Sequence, residues 1–597
     1  MSKKPLWIAG IARGHNAGVC LMKDGEIIFS IEEERLTRQK YDGGPLASML
    51  KIKEYTDKLD YLVIAHTTGL EGTAGKLDYT GEDVYTGLAR KLGLINSRMQ
   101  SDGRSQVVDV AMLHHKMHAA MAFYRSGFEN ATAVIVDGAG TFLPTATPEE
   151  QMTVWETESI FECNYPANIK TIHKTLGARS IIQNMFMKDF DAADWEQDAV
   201  YDVLIHDRAG IVKAYEAVTE YCGWSSIEAG KTMGLFPYGK PNDKFAKLFE
   251  DNDFPLPTTN RNMIIPRYPN GAIVNYCSYN FLNDHNNDDV TLLENRRDLA
   301  YAVQTETQQA VADLIRYAVN KTGNKNVVIS GGYGLNCVAN YFYLKELEDE
   351  GINLYVEPVS NDAGTAMGAA LFWYHSITND SNIRTRQNDV YLGPEYIFDN
   401  SEINETAEKY NAQIQDATHQ DIVELITGRN IVTLFQGRSE NGPRALGNRS
   451  ILYDPTDPNG KDHVNNVKHR EYFRPFAGSI LEEDAHEWFD LRGMESSPTM
   501  MYAVNCHPGV EEKIPAIIHV DGTCRIQTVS REQNPHYYDI IKAFKDKTGC
   551  PIIFNTSFNL GGEPLVETLD DAVRTLANSE IEYLYLPEYG KLITIKN

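Results

Sequence analysis

Three apolar runs, each closed by a glycine turn, set the architecture open to this chain. ATAVIVD at 131–137 runs into Gly-Ala-Gly, VVIS at 327–330 into Gly-Gly, and the strand that opens LYVEPVSND at 354–362 into an acidic turn, Ala-Gly and a small-residue helix. Continuous apolar runs of this kind read as strands buried on both faces, as in sheets whose strands are joined by helical crossovers. The chain begins in a related way. Residues 6–12 read as a short strand, AGVCLMKDGEIIFSIEEE as two strands around a Lys23-Asp24-Gly25 turn, and YLVIAH at 61–66 as a third. A strand–turn–strand opening followed by helix and strand thus recurs. It predicts a duplicated α/β core with a cleft between its lobes, and it puts Asp137 and Asp362 at strand ends facing that cleft.

AMLHHKMHAA precedes the first of these runs. Residues four apart share a helix face, so His114 and His118 can turn two imidazoles towards one ion. His115 sits about 100° round the helix and is a poor third ligand. A strand-end carboxylate such as Asp137 could add a hard oxygen to the two nitrogens. Core or helix-surface histidines are the alternative that spacing alone leaves open.

At 597 residues, 42% of them hydrophobic, the chain is too long for one compact unit, and two or more domains are expected. Mean hydropathy is -0.38 and no run approaches a membrane span, so no membrane association is expected. MSKKPLWIAGIARGHN breaks into glycine, arginine and histidine too early for a signal peptide and reads as a first strand. The eight cysteines are scattered without a CxxC pair, which fits reduced thiols in a cytoplasmic protein. A formal charge of -27 argues against non-specific nucleic-acid binding. Nucleic acid stays open as a specific substrate, because basic residues concentrate around 438–474.

Residues 67–105 read as a surface excursion with at least one short helix. Gly331, Gly332 and Gly364 put backbone donors beside helix starts, a cradle for phosphate or adenylate, although an ordinary tight turn explains each as well. EAGKTMGLFPYGK at 228–240 brackets an apolar centre with Lys231 and Lys240. Residues 251–290, rich in Asn, Asp, Pro and Tyr, read as an irregular insertion before a helix at about 296–321. Periodicity lapses over 376–392 and restarts in helices near 402–409 and 417–427, followed by the strand IVTLFQG. The boundaries are therefore a first domain at 1–380, a linker at 381–392 and a second domain at 393–597.

The densest polar signal lies in that second domain. LFQGRSENGPRALGNRSILYDP and NNVKHREYFRPFAGSI carry Arg438, Arg444, Arg449, Lys468, Arg470 and Arg474 among glycine turns. Arginine forks match paired oxygens of phosphate or carboxylate, and a nucleoside triphosphate with a second phosphorylated substrate would need several. PIIFNTSFNLGGEPLVET follows, where Asn555, Thr556, Ser557 and Asn559 could orient a small planar amide or acyl group. A self-capping polar turn is the plainer alternative.

HHKMHAA, VDGAG, EAGKTMGLFPYG, GGYGLNCVAN, NDAGTAMGAAL, FQGRSENGPRALGNRSIL, REYFRPFA, VDGTCRIQTV and FNTSFNLGGEPLV occur in this order between about residues 8 and 570. Together they resemble the NodU/CmcH family of O-carbamoyltransferases, which includes a tobramycin carbamoyltransferase. The resemblance implies an α/β protein: an N-terminal duplicated actin-like (Kae1-like) domain plus a C-terminal YrdC-like α/β domain. It implies that the second domain makes carbamoyl-AMP from carbamoyl phosphate and ATP, aided by Mg2+, and that the first transfers carbamoyl to an acceptor hydroxyl.

By the same resemblance His114, His118, Asp137 and Asp362 form a metal set, with Fe(II) favoured over another divalent transition metal. The nucleotide lies against Gly331, Gly332 and Asn336. His15 takes the acceptor proton and Arg13 steadies an oxyanion. Arg449 and Lys468 act in the adenylation chemistry, and Arg438, Arg444, Arg470, Arg474, Asn555 and Ser557 bind its substrates. Asn16 and Tyr41 depart from the residues usual in relatives, aspartate and histidine, and both bear on the acceptor end. The acceptor is read as a hydroxyl-bearing small metabolite or sugar; the alternative is a 5-hydroxymethylcytosine nucleotide or DNA. Threonylcarbamoyl transfer to tRNA and hydrogenase maturation stand behind both. A homodimer is compatible with all of these.

Overall fold

The structure is a computed structural model describing residues 4–67, 83–96, 105–143, 154–178, 184–196, 199–206, 210–250, 252–260, 265–267, 272–274, 290–386 and 389–596. The chain forms two compact units, Met1–Ile28 with Gly43–Gln387, and Phe29–Asp42 with Asn388–Asn597. The membership of Phe29–Asp42 in the second unit is a detail that linear boundaries at 380 and 393 do not describe.

In the first unit, strands Trp7–Ala12, Gly18–Lys23, Glu26–Glu32, Tyr61–Ala65 and Val107–Asp109 form a five-stranded sheet ordered third, second, first, fourth, fifth. The first two are antiparallel; the first, fourth and fifth run parallel. Asp24 adopts a left-handed φ of 51°, as the tight turn read from Lys23-Asp24-Gly25 requires. A second sheet uses the same order for Asn130–Val136, Val154–Asn164, Asn168–Ala178, Asn326–Ser330 and Asn353–Val356. Here too the first three are antiparallel neighbours and the last two lie parallel to the first. Val200–His206 and Met185–Asp191 extend its edge. The duplicated actin-like core is therefore present as one strand order used twice.

Helices His114–Ser126 and Gly364–Thr378 pack against each other. Every residue of the first except Lys116 is buried, so its histidines lie in the core rather than on a wet face. The second helix carries Gly364 and Gly368 where neighbouring backbone and side chains leave no room for a Cβ. A Cβ on Gly368 would stand 2.0 Å from the Met117 carbonyl oxygen. That close approach brings the residues just before Gly364 to the His114 end of its neighbour.

The helix expected at about 296–321 spans Val290–Thr322, and the 67–105 excursion contains the helix Val84–Lys91. Most of 251–290 lies outside the described residues. Lys231, on the short helix Ala229–Leu235, pairs at 2.8 Å with Glu228, which precedes that helix. Among the described residues no helix is long and apolar enough to cross a membrane.

The second unit is built on a ten-stranded sheet whose centre runs Val432–Phe435, Arg449–Tyr453, Ile552–Ser557, Ala477–Leu481, Thr523–Val529. Helices Asn400–Lys409 and His419–Thr427 open with capping boxes, Asp399 with Glu402 and Thr418 with Asp421. Strands Arg449–Tyr453 and Ile552–Ser557 are antiparallel with Ser450 opposite Ser557. That register sets the polar stretch before Arg449 beside the one after Ser557.

Candidate active site

His114 and His118 share one helix face with ring centroids 4.9 Å apart. The His118 Nδ1 bonds Ser330 Oγ at 3.2 Å, which turns its Nε2 the other way. Asp137 follows the strand Asn130–Val136, and its Oδ1 accepts from the Gly332 amide at 2.9 Å. Its Oδ2 lies 3.7 Å from His114 Nε2. Asp362 stands just before the helix Gly364–Thr378, with Oδ1 3.6 Å from the Nε2 atoms of both His114 and His118. All four residues are buried, and one ligand atom from each lies within 4.8 Å of the others.

The donor set fits a metal. Ligand atoms at about 2.0–2.2 Å from one ion lie roughly 3–3.5 Å apart, close to the observed N···O separations. Those separations are too long for hydrogen bonds, and His114 Nε2 and His118 Nε2 are buried without hydrogen-bond partners. Burial opposes charge throughout the cluster. Asp137 and Asp362 nevertheless hold His114 up at about 10, and the histidines hold both carboxylates below the usual range. Two imidazoles and two carboxylates, hard and borderline donors together, suit a divalent transition metal.

His115 lies elsewhere. Its Nδ1 bonds Ser159 Oγ at 2.8 Å, and burial pushes it down to about 4. His15 stands half-exposed, its Nδ1 3.7 Å from Asp362 Oδ2. Arg13 is buried, its guanidinium 5.2 Å from the centroid of the Tyr85 ring.

Gly331 adopts a φ of 91°, and a Cβ there would lie 2.4 Å from the Val136 carbonyl oxygen. The Gly331-Gly332 turn therefore presses on the strand that delivers Asp137. Asn336 caps the helix Cys337–Glu346, its Oδ1 accepting from the Ala339 amide at 3.1 Å, and its amide pairs with Gln304. Its side chain is thus occupied by the fold, as is its backbone, whose N–H donates to the Tyr333 carbonyl at 2.9 Å and whose carbonyl accepts from the Asn340 amide at 3.0 Å.

In the second unit the expected cations separate into two groups. Arg449 is fully buried and donates to the carbonyls of Gln436, Gly437, Asn448 and Glu567 over the Phe435 ring. Lys468, also buried, donates to the carbonyls of Ser557 and Asn559. Arg438 holds the carbonyls of Leu392 and Gly393. A fully buried cation must satisfy its donors; Arg449 does so on backbone carbonyls, and Lys468 on two carbonyls and the Asn559 Oδ1 at 3.1 Å.

Arg470 and Arg474 form the second group with Arg525, which the sequence reading did not single out. Burial, then Arg474 and Arg525, lower the Arg470 pKa well below its ordinary value. The Arg525 Nε is buried without a hydrogen-bond partner. Its signal lay in VDGTCRIQTV: Cys524 and Ile526 are core residues of the strand Thr523–Val529, so Arg525 points to the opposite face. Arg444 is half-buried on the loop between Arg438 and Arg449. Asn555 is fully buried, donating to Ser479 Oγ at 2.9 Å and the Ala445 carbonyl at 3.2 Å. Ser557 Oγ donates to Asn559 Oδ1 at 2.6 Å.

A duplicated actin-like unit with a buried two-histidine, two-aspartate centre is thus followed by an α/β unit with a concentration of arginines. Family models for the carbamoyltransferase N-terminus and C-terminus match residues 61–371 and 423–591. The chain belongs to the carbamoyltransferase family. It is 30% identical to the nodulation protein NolNO of Sinorhizobium fredii, over 96% of this chain and 78% of that protein. It is 32% identical to the nodulation protein NolO of Bradyrhizobium diazoefficiens, over 79% of this chain and 77% of that one. An uncharacterised Synechocystis protein is 30% identical over 96% of this chain and 94% of its own length. A crystal structure of full-length HypF, phosphate- and nucleotide-bound, aligns with a TM-score of 0.34 at 11% identity, covering 62% of this chain and 56% of HypF.

Proposed function

We propose that this carbamoyltransferase is ATP-dependent and works in two half-reactions, one in each unit. In the second unit, carbamoyl phosphate gives up phosphate to water, and the resulting carbamate oxygen attacks the α-phosphorus of ATP. Carbamoyl-AMP forms and pyrophosphate leaves. Arg470, Arg474 and Arg525 offset the charge of the two phosphorylated substrates, with Mg2+ and Arg444 assisting. Arg438, Arg449 and Lys468 hold the loops that shape this pocket, and Asn555 and Ser557 orient the carbamoyl group.

In the first unit, an acceptor hydroxyl attacks the carbamoyl carbon, the carbamate ester forms and AMP leaves. His114, His118, Asp137 and Asp362 would hold a divalent transition metal, iron(II) being favoured. Such an ion supplies Lewis-acid polarisation of the carbamoyl oxygen or charge balance for the departing AMP phosphate. His15, on the open side of this centre and held by Asp362, takes the hydroxyl proton, and Arg13 steadies the oxyanion. Gly331 and Gly332 receive the adenylate. The acceptor is a hydroxyl-bearing small metabolite or sugar, a reading supported by the kinship with nodulation proteins.

The observation that carries this reading is the pair of buried, unpartnered Nε2 atoms facing two carboxylates. The test uses metal-loaded protein with ATP and carbamoyl phosphate, first alone and then with candidate acceptors. Pyrophosphate and carbamoyl-AMP should form without acceptor. A screen of hydroxylated metabolites, sugars and hydroxymethylpyrimidine DNA should yield a carbamoylated product in one arm. His114→Ala should keep pyrophosphate release and abolish transfer. Loss of both would contradict the separation of the half-reactions.

A further inference from the structure

Arg38 is placed at an unusual cost to the backbone. It follows the short helix Glu33–Thr37 in a left-handed conformation, φ 60° and ψ 19°, where glycine is the comfortable residue. Its guanidinium donates to two successive carbonyls, Leu565 at 2.5 Å and Pro564 at 2.9 Å, and its Nε lies 3.6 Å from Asp571 Oδ1. A planar fork can hold two adjacent carbonyls at once, which a lysine ammonium cannot do with the same geometry.

The loop it holds is the one carrying Ser557 and Asn559. Lys468 secures its beginning through the Ser557 and Asn559 carbonyls, and the Gly561 amide returns a bond to the Lys468 carbonyl at 2.8 Å. Asn559 Nδ2 donates across the loop to the Glu563 carbonyl at 2.6 Å. Glu563 is within electrostatic reach of both Lys468 and Arg38. Three residues before Arg38, the buried Arg35 donates to the Gly442 carbonyl at 2.6 Å, on the loop between Arg438 and Arg449. One segment, Phe29–Asp42, therefore grips both polar loops of the second unit, although nearly four hundred residues of chain intervene.

We propose that Arg38 is a positioning residue for the adenylate-forming half-reaction, setting the 557–565 loop, and that Phe29–Asp42 is a working part of that site. This rests on the assignment of adenylation to the second unit. The Pro564 and Leu565 carbonyls fix the far end of the loop, so Asn559 holds the Ser557 hydroxyl in one orientation towards the carbamoyl group. Loosening that end misplaces the reacting carbon while leaving the arginine cluster to bind phosphates.

The test compares full-length parent, Arg38→Gly and Arg38→Lys for pyrophosphate release at varied ATP and carbamoyl phosphate, with thermal midpoints. Glycine relieves the left-handed backbone but leaves the Pro564 and Leu565 carbonyls without these donors, so Arg38→Gly should lower the midpoint, and ethylguanidinium should recover part of it. Its kcat should fall roughly tenfold or more with little change in KM for ATP, because misplacing a reacting group slows the chemical step. Ethylguanidinium at millimolar concentration should restore part of the rate to Arg38→Gly, and Arg38→Lys should stay impaired. Parental kcat in Arg38→Gly overturns the proposal. So does a loss of rate that comes with a lowered midpoint and resists rescue. A parent protein that releases no pyrophosphate overturns the adenylation reading itself, and the role of Arg38 with it.

Discussion

Oδ1 of Asp362 lies 3.6 Å from Nε2 of His118, too far to hydrogen-bond and close enough to share an ion. Asp362→Asn removes one charge from that set without changing its shape. The purified parent should carry near-stoichiometric transition metal after gel filtration, and Asp362→Asn should carry little. Ser330→Ala, which frees His118 Nδ1, should weaken metal affinity by roughly 10–100-fold. Metal analysis of the three proteins decides this; equal content in Asp362→Asn and the parent would sink the assignment.

Gly368→Ala tests how the centre is assembled. The added methyl group meets the Met117 backbone at 2.0 Å, so the two helices must part. Overpacking of this kind costs about 1–3 kcal/mol or more, and separation also carries Asp362 away from the histidines. Chemical denaturation should show the loss of stability, and metal content should fall with it.

Lys468→Met probes the second unit independently. It strips donors from the Ser557 and Asn559 carbonyls inside a buried site. Unsatisfied buried acceptors cost about 1–3 kcal/mol each. The expected result is a lower thermal midpoint and loss of pyrophosphate release, with the metal content of the protein unchanged. A fully stable, slow variant would instead return Lys468 to a direct part in the chemistry.

His206 gives the first unit a definable acid sensitivity. Burial pushes it down to about 4, and its Nδ1 accepts from the Thr259 amide at 3.2 Å, which requires an unprotonated nitrogen. The unfolded chain takes up a proton near pH 6.5 and the folded chain only near 4. Stability from this group is therefore complete above about pH 6.5 and is lost as pH falls towards 4, at up to about 1.4 kcal/mol per pH unit. Denaturation midpoints measured from pH 7 to 4.5 should show a shallower decline in His206→Gln than in the parent.

The elements were legible where their signals are local. Returning periodicity marked the helices Asn400–Lys409 and His419–Thr427, and an Asp-Gly pair marked the first hairpin. The recurrence of strand–turn–strand foretold the duplicated core, because buried parallel strands leave continuous apolar runs that a reader can count. Arg525 was missed because a lone arginine in an alternating strand looks like any solvent-facing residue. For Arg449 and Lys468 the fold adds contacts that residue type does not announce. A cation's residue type shows which anions it could bind, but only the fold shows that its donors already hold backbone carbonyls.

By itself the sequence determined that His114 and His118 share a helix face, that Asp137 closes an apolar strand, and that arginines gather between glycines in the second domain. Helical and strand periods are properties of a few consecutive residues, so they survive without any knowledge of the fold. Only the tertiary structure decided that Asp362 meets those two histidines while His115 turns to Ser159, and that Arg38 reaches the loop of Ser557. Those outcomes depend on how closely Gly368 lets one helix approach another, and on strand register set by the packing of distant segments. Neither is written in local spacing.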